Sequence, residues 1–368
     1  MRVLVLADEM FASRERTLLT RLEVGLADEG VRTIHAVPET STMIESASVF
    51  TQSVTYAARG WAITRGARAR DLVRRLEGLV QPAEGERLAD LVHVFGGSVW
   101  DLGLEIAGEL GATAALEVWR MGLVAKAAAI RPDPVVGPCF FAPGTPIERA
   151  LLAEGLSGAV RLTTWGVHTP STPRQILSSN RAMSIMCIGT GREPRFFQAA
   201  FEGALALTQT HPDLMVFMDA QAGHLSGVWE WARKRSLSHH LTLIEDFEAR
   251  RDLLLQGDML VLPEIGGEAR TIVLDAMGTG MLVIAMEDPN VTALIDTRTA
   301  RLVREPLASL WASAYVDVIG DPGKAQALVA SAREYVRVER RASDHVAAVI
   351  QAYSWATSAE RAQRSAAR

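Results

Sequence analysis

Three short glycine-bearing segments hold the residue types that could grip or act on a charged substrate. The first is Gly189-Thr190-Gly191-Arg192-Glu193-Pro194-Arg195, directly after the apolar run Met183 to Ile188. Glycines let the backbone approach a ligand closely, and two arginines at this spacing can neutralise a diphosphate. The second runs from Pro263 to Thr271, between the apolar run Met259 to Leu262 and a helical window from Ile272 to Met277. Gly266-Gly267 frees the backbone there, the helix start offers N–H donors without intrahelical partners, and Asp275 follows one turn later. Donors beside a carboxylate suit the phosphates and ribose hydroxyls of a nucleotide. The third is Phe95-Gly96-Gly97-Ser98, with His93 just before it. A histidine at the end of an apolar strand is either a hydrogen-bonded core residue or an acid–base group, and both readings stay open. The other two segments have plainer readings as well. Arg192 and Arg195 could be surface charges on a solvated turn, Glu268 could only complement the helix dipole, and Asp275 could lie on a wet helix face.

The elements that would position these segments alternate between strand and helix. Val3 to Leu6 reads as a short buried strand, and the helix from Arg14 to Glu29 sets Leu18, Leu22 and Leu26 on one stripe, with Gly30 free to close it in a left-handed conformation. Further strands are predicted at Ile34 to Val37, Leu91 to Phe95 and Ala114 to Val118, with a helix ending near Leu110. The rhythm restarts with strands at Met183 to Ile188, Leu214 to Met218, Leu241 to Ile244, Met259 to Leu262 and Leu282 to Ala285. Near-continuous apolar strands separated by helices predict α/β architecture with parallel sheets covered on both faces. The 368 residues suffice for about two such domains. The Pro-punctuated stretch within Val160 to Ser184 marks the boundary, giving domains at 1–172 and 178–338, with a C-terminal helix at about 340–368 packing back on the first.

Composition excludes several classes. Apolar residues make up 48% and charged residues 22%, so neither disorder nor a fibrous repeat fits. The formal charge of −5 does not favour nucleic acid. Cys139 and Cys187 stand alone, without metal-ligand spacing, and read as reduced core residues of a cytoplasmic protein. No apolar run reaches the roughly 18 residues of a spanning helix. One stretch could touch a membrane peripherally: Arg59 to Arg75 carries six arginines against the single acid Asp71, interleaved with Trp61, Leu72, Val73 and Leu76. An arginine-rich solvated helix face is the plainer alternative.

The stretch from Leu262 to Ala285, with Asp275-Ala276-Met277-Gly278-Thr279-Gly280-Met281-Leu282-Val283-Ile284-Ala285, resembles the donor-site signature of GT-B retaining glycosyltransferases of the family 4-like kind. Gly191-Arg192, Asp258 before Val261-Leu262-Pro263, and Trp165-Gly166-Val167-His168 lie in the order that family shows. The resemblance implies two Rossmann-like domains facing across a cleft and a metal-independent, retaining transfer of a hexose from a nucleoside-diphosphate sugar. No cofactor beyond that substrate is implied, and the acceptor, whether lipid-linked or polysaccharide, is left open. By the same resemblance Gly191, Arg192 and Arg195 hold the diphosphate, the amides of Ala269, Arg270 and Thr271 lie against it, and Asp275 faces the ribose. The base would stack near Ile244 to Phe247, Glu268 and His93 become the catalytic candidates, and Gly96 and Gly97 would line the acceptor cleft.

Departures from the pattern set up the competing readings. The family's sugar-contacting glutamate lies eight positions before its ribose-binding one, where this chain has Gly267; Glu268 is one residue late, and Asp275 is one methylene shorter than the usual glutamate. A glycosyltransferase-like binding or scaffold protein without turnover is therefore the main alternative. A sugar-nucleotide epimerase of the same architecture is the other, and the extra acidic and histidine constellation expected of one is not seen.

Overall fold

The structure, a computed structural model, describes residues 1–40, 52–57, 65–81, 86–130, 137–178 and 180–358. The chain forms two compact units, one made of Met1–Trp165 with Ala342–Arg368 and the other of Gly166–Arg341. Both are parallel sheets with helices, a Rossmann-like arrangement.

In the first unit the chain runs β1 (Arg2–Ala7), α1 (Glu9–Arg14), α2 (Arg16–Asp28), β2 (Arg32–Pro38), β3 (Gln52–Tyr56), α3 (Arg65–Leu79), β4 (Leu91–Phe95), α4 (Trp100–Leu110), β5 (Thr113–Glu117), α5 (Val124–Ala129), β6 (Cys139–Ala142), α6 (Thr145–Ala153) and β7 (Val160–Leu162). The sheet order is β3-β2-β1-β4-β5-β6-β7, and every pairing is parallel. The order reverses between β1 and β4, where Leu4 stands opposite both Ile34 and Val92. Every residue of β1 and β4 is buried, as central strands of such a sheet require. Leu18, Leu22 and Leu26 are buried on α2, and Gly30 follows at φ +74°, its amide donating to Ala27 O. A Cβ on Gly103 of α4 would come within 2.4 Å of Val94 Cγ2, so this glycine lets α4 lie close on the sheet.

The second unit runs β8 (Ser184–Cys187), α7 (Pro194–Leu205), β9 (Met215–Asp219), α8 (Ala220–Leu225), α9 (Val228–Lys234), β10 (Leu241–Ile244), α10 (Arg251–Leu254), β11 (Met259–Leu262), α11 (Thr271–Thr279), β12 (Leu282–Met286), β13 (Arg301–Val303), α12 (Ala308–Ile319) and α13 (Pro322–Glu339). The sheet order β10-β9-β8-β11-β12-β13 reverses between β8 and β11. Alternate residues of β11 feed two cores: Met259 and Val261 pack with Phe197 and Trp311, whereas Leu260 and Leu262 pack with Ile272, Met277 and Val336. That alternation is how one strand is covered on both faces.

Four short strands escape the pattern read from sequence: β3, β6, β7 and β13. β6 has four residues, β7 and β13 have three each, and one of those three is an arginine, in the middle of β7 and at the start of β13. β7 also falls inside the stretch from Val160 that reads as connection. Asp258 turns out to serve the fold from the amino end of β11, where its buried carboxylate accepts from Arg181, Ser184 and the amide of Leu177.

After α13 the chain re-enters the first unit as α14 (Ala342–Ala356), which packs on α2; a Cβ on Gly25 would come within 2.5 Å of Val346 Cγ2. His93 Nδ1 shares a 2.7 Å hydrogen bond with Tyr353 Oη of α14, and Nε2 lies 3.1 Å from Glu117 Oε2. Trp165 Nε1 donates to the other Glu117 oxygen at 2.8 Å. Burial pushes the Glu117 carboxyl up to about 8, against the opposing hydrogen bond from Trp165. Burial also pushes the imidazoles of His93 and His345 down to about 3. Among the described residues no helix is long and apolar enough to cross a membrane.

These shifts have signs that can be tested. A carboxyl whose folded pKa is about 8 against an ordinary 4.5 holds its proton in the folded state, so its contribution to stability is lost as pH rises across that window, by up to about 1.4 kcal/mol per pH unit. The two histidines act oppositely, and only between their folded value near 3 and their ordinary 6.5. Between pH 6.5 and 8 Glu117 therefore acts without them. Thermal melts of the wild type should fall over that range, and those of Glu117→Gln, which keeps an oxygen for Trp165, should stay flatter. Equal slopes would show that Glu117 carries no proton there.

Candidate functional site

The candidate site lies on the carboxyl edge of the second sheet, where β8 and β11 adjoin and the chain direction of the crossovers reverses. Loops and helix starts meet at such edges, and ligands of open α/β sheets bind there. After β8 the backbone turns through Gly189, Thr190 and Gly191. Gly191 has φ +74°, and a Cβ on it would come within 2.4 Å of Ala222 O at the start of α8, so only glycine fits. Arg192 is exposed on this loop, and Arg195 is exposed on the first turn of α7 with its guanidinium 4.9 Å from the centre of the Phe196 ring. Among the described residues neither arginine has an acidic partner.

The loop from β11 to α11 is held at several points by acids from neighbouring loops. Glu264 accepts from the amide of Thr190 at 2.7 Å and of Glu193 at 3.3 Å. The amide of Gly267, at φ +58°, donates to the buried Asp288 at 2.7 Å. Arg270 pairs with Glu248, and both side chains are nearly closed to solvent. Arg251 of α10 donates to Thr271 Oγ1 at 2.8 Å and to Asp275 Oδ2 at 2.5 Å. Two buried ion pairs side by side cost desolvation, and what they secure is a fixed loop shape.

Each expected residue can now be placed. Gly191, Arg192, Arg195, Ala269, Arg270 and Thr271 all lie on this edge of the second unit, as does Glu268, which is half-buried on the loop. Asp275 is not on a wet helix face. It is 5% exposed, and one of its oxygens is held by Arg251. Phe247 is fully buried, so its ring is part of the core rather than a platform for a base; its amide donates to Asp219, which also caps α8. Ile244 remains half-buried.

The first unit corrects the expectation for His93 and gives Gly96 and Gly97 a packing reason. His93 is 1% exposed, with both ring nitrogens engaged and the rings of Phe95 and Phe141 against it, so it is a core residue that no substrate reaches. Gly96, at φ +94°, would place a Cβ about 2.1 Å from the Asp8 carboxyl, and a Cβ on Gly97 would lie 2.3 Å from Leu123 Cδ2. Both glycines are therefore explained by close packing. Asp8 itself caps α1 through the amide of Phe11 and accepts from Ser98 Oγ at 2.8 Å.

The basic stretch falls partly outside the described residues, which include neither Arg59 nor Trp61. Within α3, Ala69, Leu72 and Leu76 are buried in the core, whereas Leu79 at its end is exposed. Arg70, Arg74 and Arg75 are exposed, and Arg75 pairs with Asp71 and Glu39.

Sequence reasoning missed the acids that build this site. Glu248, Glu264 and Asp288 lie on three separate loops, and no local spacing connects them. Arg251 begins a helix of four residues. The only local signal was the acid density at strand ends.

No family model matches the chain, and no curated protein is similar to it at a significant level. Solved structures do resemble it. A glycosyltransferase from Rickettsia africae superposes with a TM-score of 0.71 at 12% identity, over 97% of this chain and 99% of that one. HepE of Anabaena, solved with UDP and glucose, gives 0.72 at 11% identity, over 96% and 99%. A UDP-N-acetylglucosamine 2-epimerase from Listeria monocytogenes gives 0.61 at 13% identity, over 96% of each chain. At these identities the likeness establishes the fold: two Rossmann-like domains of the GT-B type.

Proposed function

We propose that the chain is a glycosyltransferase that binds a nucleoside-diphosphate sugar on the carboxyl edge of its second sheet and transfers the hexose with retention of configuration. The observation that carries this reading is the pair Arg192 and Arg195 beside the Gly191 turn, both exposed and, among the described residues, without acidic partners. The GT-B fold supports it, since HepE of that fold is solved with UDP and glucose. The two guanidiniums neutralise charge that develops on the departing diphosphate, and the amides of Ala269, Arg270 and Thr271 add donors at the start of α11. With arginines in that role the reaction needs no metal ion. Gly267 stands where the resemblance puts a sugar-contacting glutamate, so Glu268 takes that role only from one residue further along.

A second reading, a binding protein without turnover, is favoured by one geometric fact. Asp275, the carboxylate expected on the ribose, is already committed to Arg251. Ribose binding must compete with that guanidinium or use the other carboxylate oxygen.

Two measurements separate these readings. Calorimetric titration with UDP, GDP, ADP and their hexose derivatives should show binding of one of them, weakened at least tenfold in Arg192→Glu/Arg195→Glu; unchanged affinity in the double variant would remove the arginines from the site. Slow donor hydrolysis by the wild type, followed by mass spectrometry, distinguishes transferase from inert binder. The ion pair is tested by stability. Arg251→Met deprives a buried carboxylate of its guanidinium and should cost about 3–5 kcal/mol, with Asp275→Asn recovering much of that in the double variant. Additive losses would show that the two side chains do not act as a pair.

A further inference from the structure

The loop that leads to the two exposed arginines is not held by its own strand alone. Thr190 donates to Glu264 through both its amide, at 2.7 Å, and its hydroxyl, at 3.0 and 3.1 Å. Glu193, the residue before α7, donates its amide to the same carboxylate at 3.3 Å, and α7 has no side-chain cap of its own. The amide of Arg192 donates back to Thr190 Oγ1 at 3.3 Å. Gly189 leaves the space: a Cβ there would lie 2.9 Å from Glu264 Oε2 and 2.8 Å from the Phe197 ring. Arg192 therefore sits between two residues fixed by one carboxylate, and Arg195 follows two positions after the second.

Glu264 also begins the loop that leads to Ala269, Arg270 and Thr271. One side chain thus ties the loop bearing the guanidiniums to the loop bearing the amides. We propose that Glu264 is the positioning residue of the diphosphate subsite, setting the separation between these two groups of donors; the inference rests on the nucleotide-sugar reading above. Its charge alone opposes anion binding, because a carboxylate beside a diphosphate repels it. Its benefit must then come from geometry, since a donor displaced by about 1 Å loses most of its value to a bound anion. Charge and geometry make opposite predictions for two variants.

Titration of UDP into the full-length protein decides between them. Glu264→Ala removes the tie and should weaken UDP binding at least tenfold in protein that circular dichroism shows to be folded. Glu264→Gln loses the charge and keeps one carbonyl oxygen, which the Thr190 amide takes at the shorter contact, while its NH2 group faces the longer Glu193 contact. With the main tie kept, it should bind within about threefold of the wild type or more tightly. Thr190→Val, which removes one donor and leaves Glu264 in place, serves if the alanine variant does not fold, and should fall between the two. Wild-type affinity in Glu264→Ala, or a loss in Glu264→Gln as large as in Glu264→Ala, overturns the inference while leaving the nucleotide reading intact. A wild type that binds no nucleoside diphosphate removes both, and that outcome is seen before any substitution is made.

Discussion

Acid side chains reaching from one strand-end loop to the next decide the shape of the second unit's working edge. A loop at the end of a parallel sheet has backbone donors that nothing in the sheet satisfies, and a buried donor left without a partner costs more than a typical hydrogen bond returns. Here Glu264 and Asp288 take up the amides of Thr190, Glu193 and Gly267, and Glu248 and Arg251 fix the start of α11. The carboxyl edge of this sheet is therefore shaped before any ligand arrives. Preformed donors of that kind need no reorganisation when charge develops on a leaving group.

The same arrangement sets a tension. Carboxylates that stiffen the edge also reduce its positive charge, and the arginines Arg251 and Arg270 are spent in pairing. On the reading proposed above, an incoming anion meets Arg192 and Arg195, together with helix-start amides. The site's chemistry rests on few groups, held accurately, rather than on a broad positive field.

Much of the architecture could be read from residues alone. The runs at Val3 to Leu6, Leu91 to Phe95 and Met259 to Leu262 are nearly continuously apolar and buried, and that continuity marks them as interior strands. Outer strands such as Val160–Leu162 and Arg301–Val303 are too short and too interrupted to carry a pattern. The glycine turns that mark the carboxyl edges were legible because a positive φ or a close approach leaves a glycine in the sequence. The partners of Asp275 and His93 were not, because each comes from a loop or helix distant in sequence: Arg251 lies 24 residues from Asp275, and Tyr353 lies 260 from His93. A titratable residue on a buried element looks the same in sequence whether it faces substrate or another side chain. Only the fold distinguishes them.

That 260-residue separation bears on how the chain is made. The second unit is one continuous segment, Gly166–Arg341, inserted into the first, which needs Ala342–Ala356 to complete its polar cluster. During synthesis the inserted unit is complete before the enclosing one has Tyr353, the second of the two partners of His93. The polar cluster beneath the N-terminal sheet therefore closes only after α14 has left the ribosome.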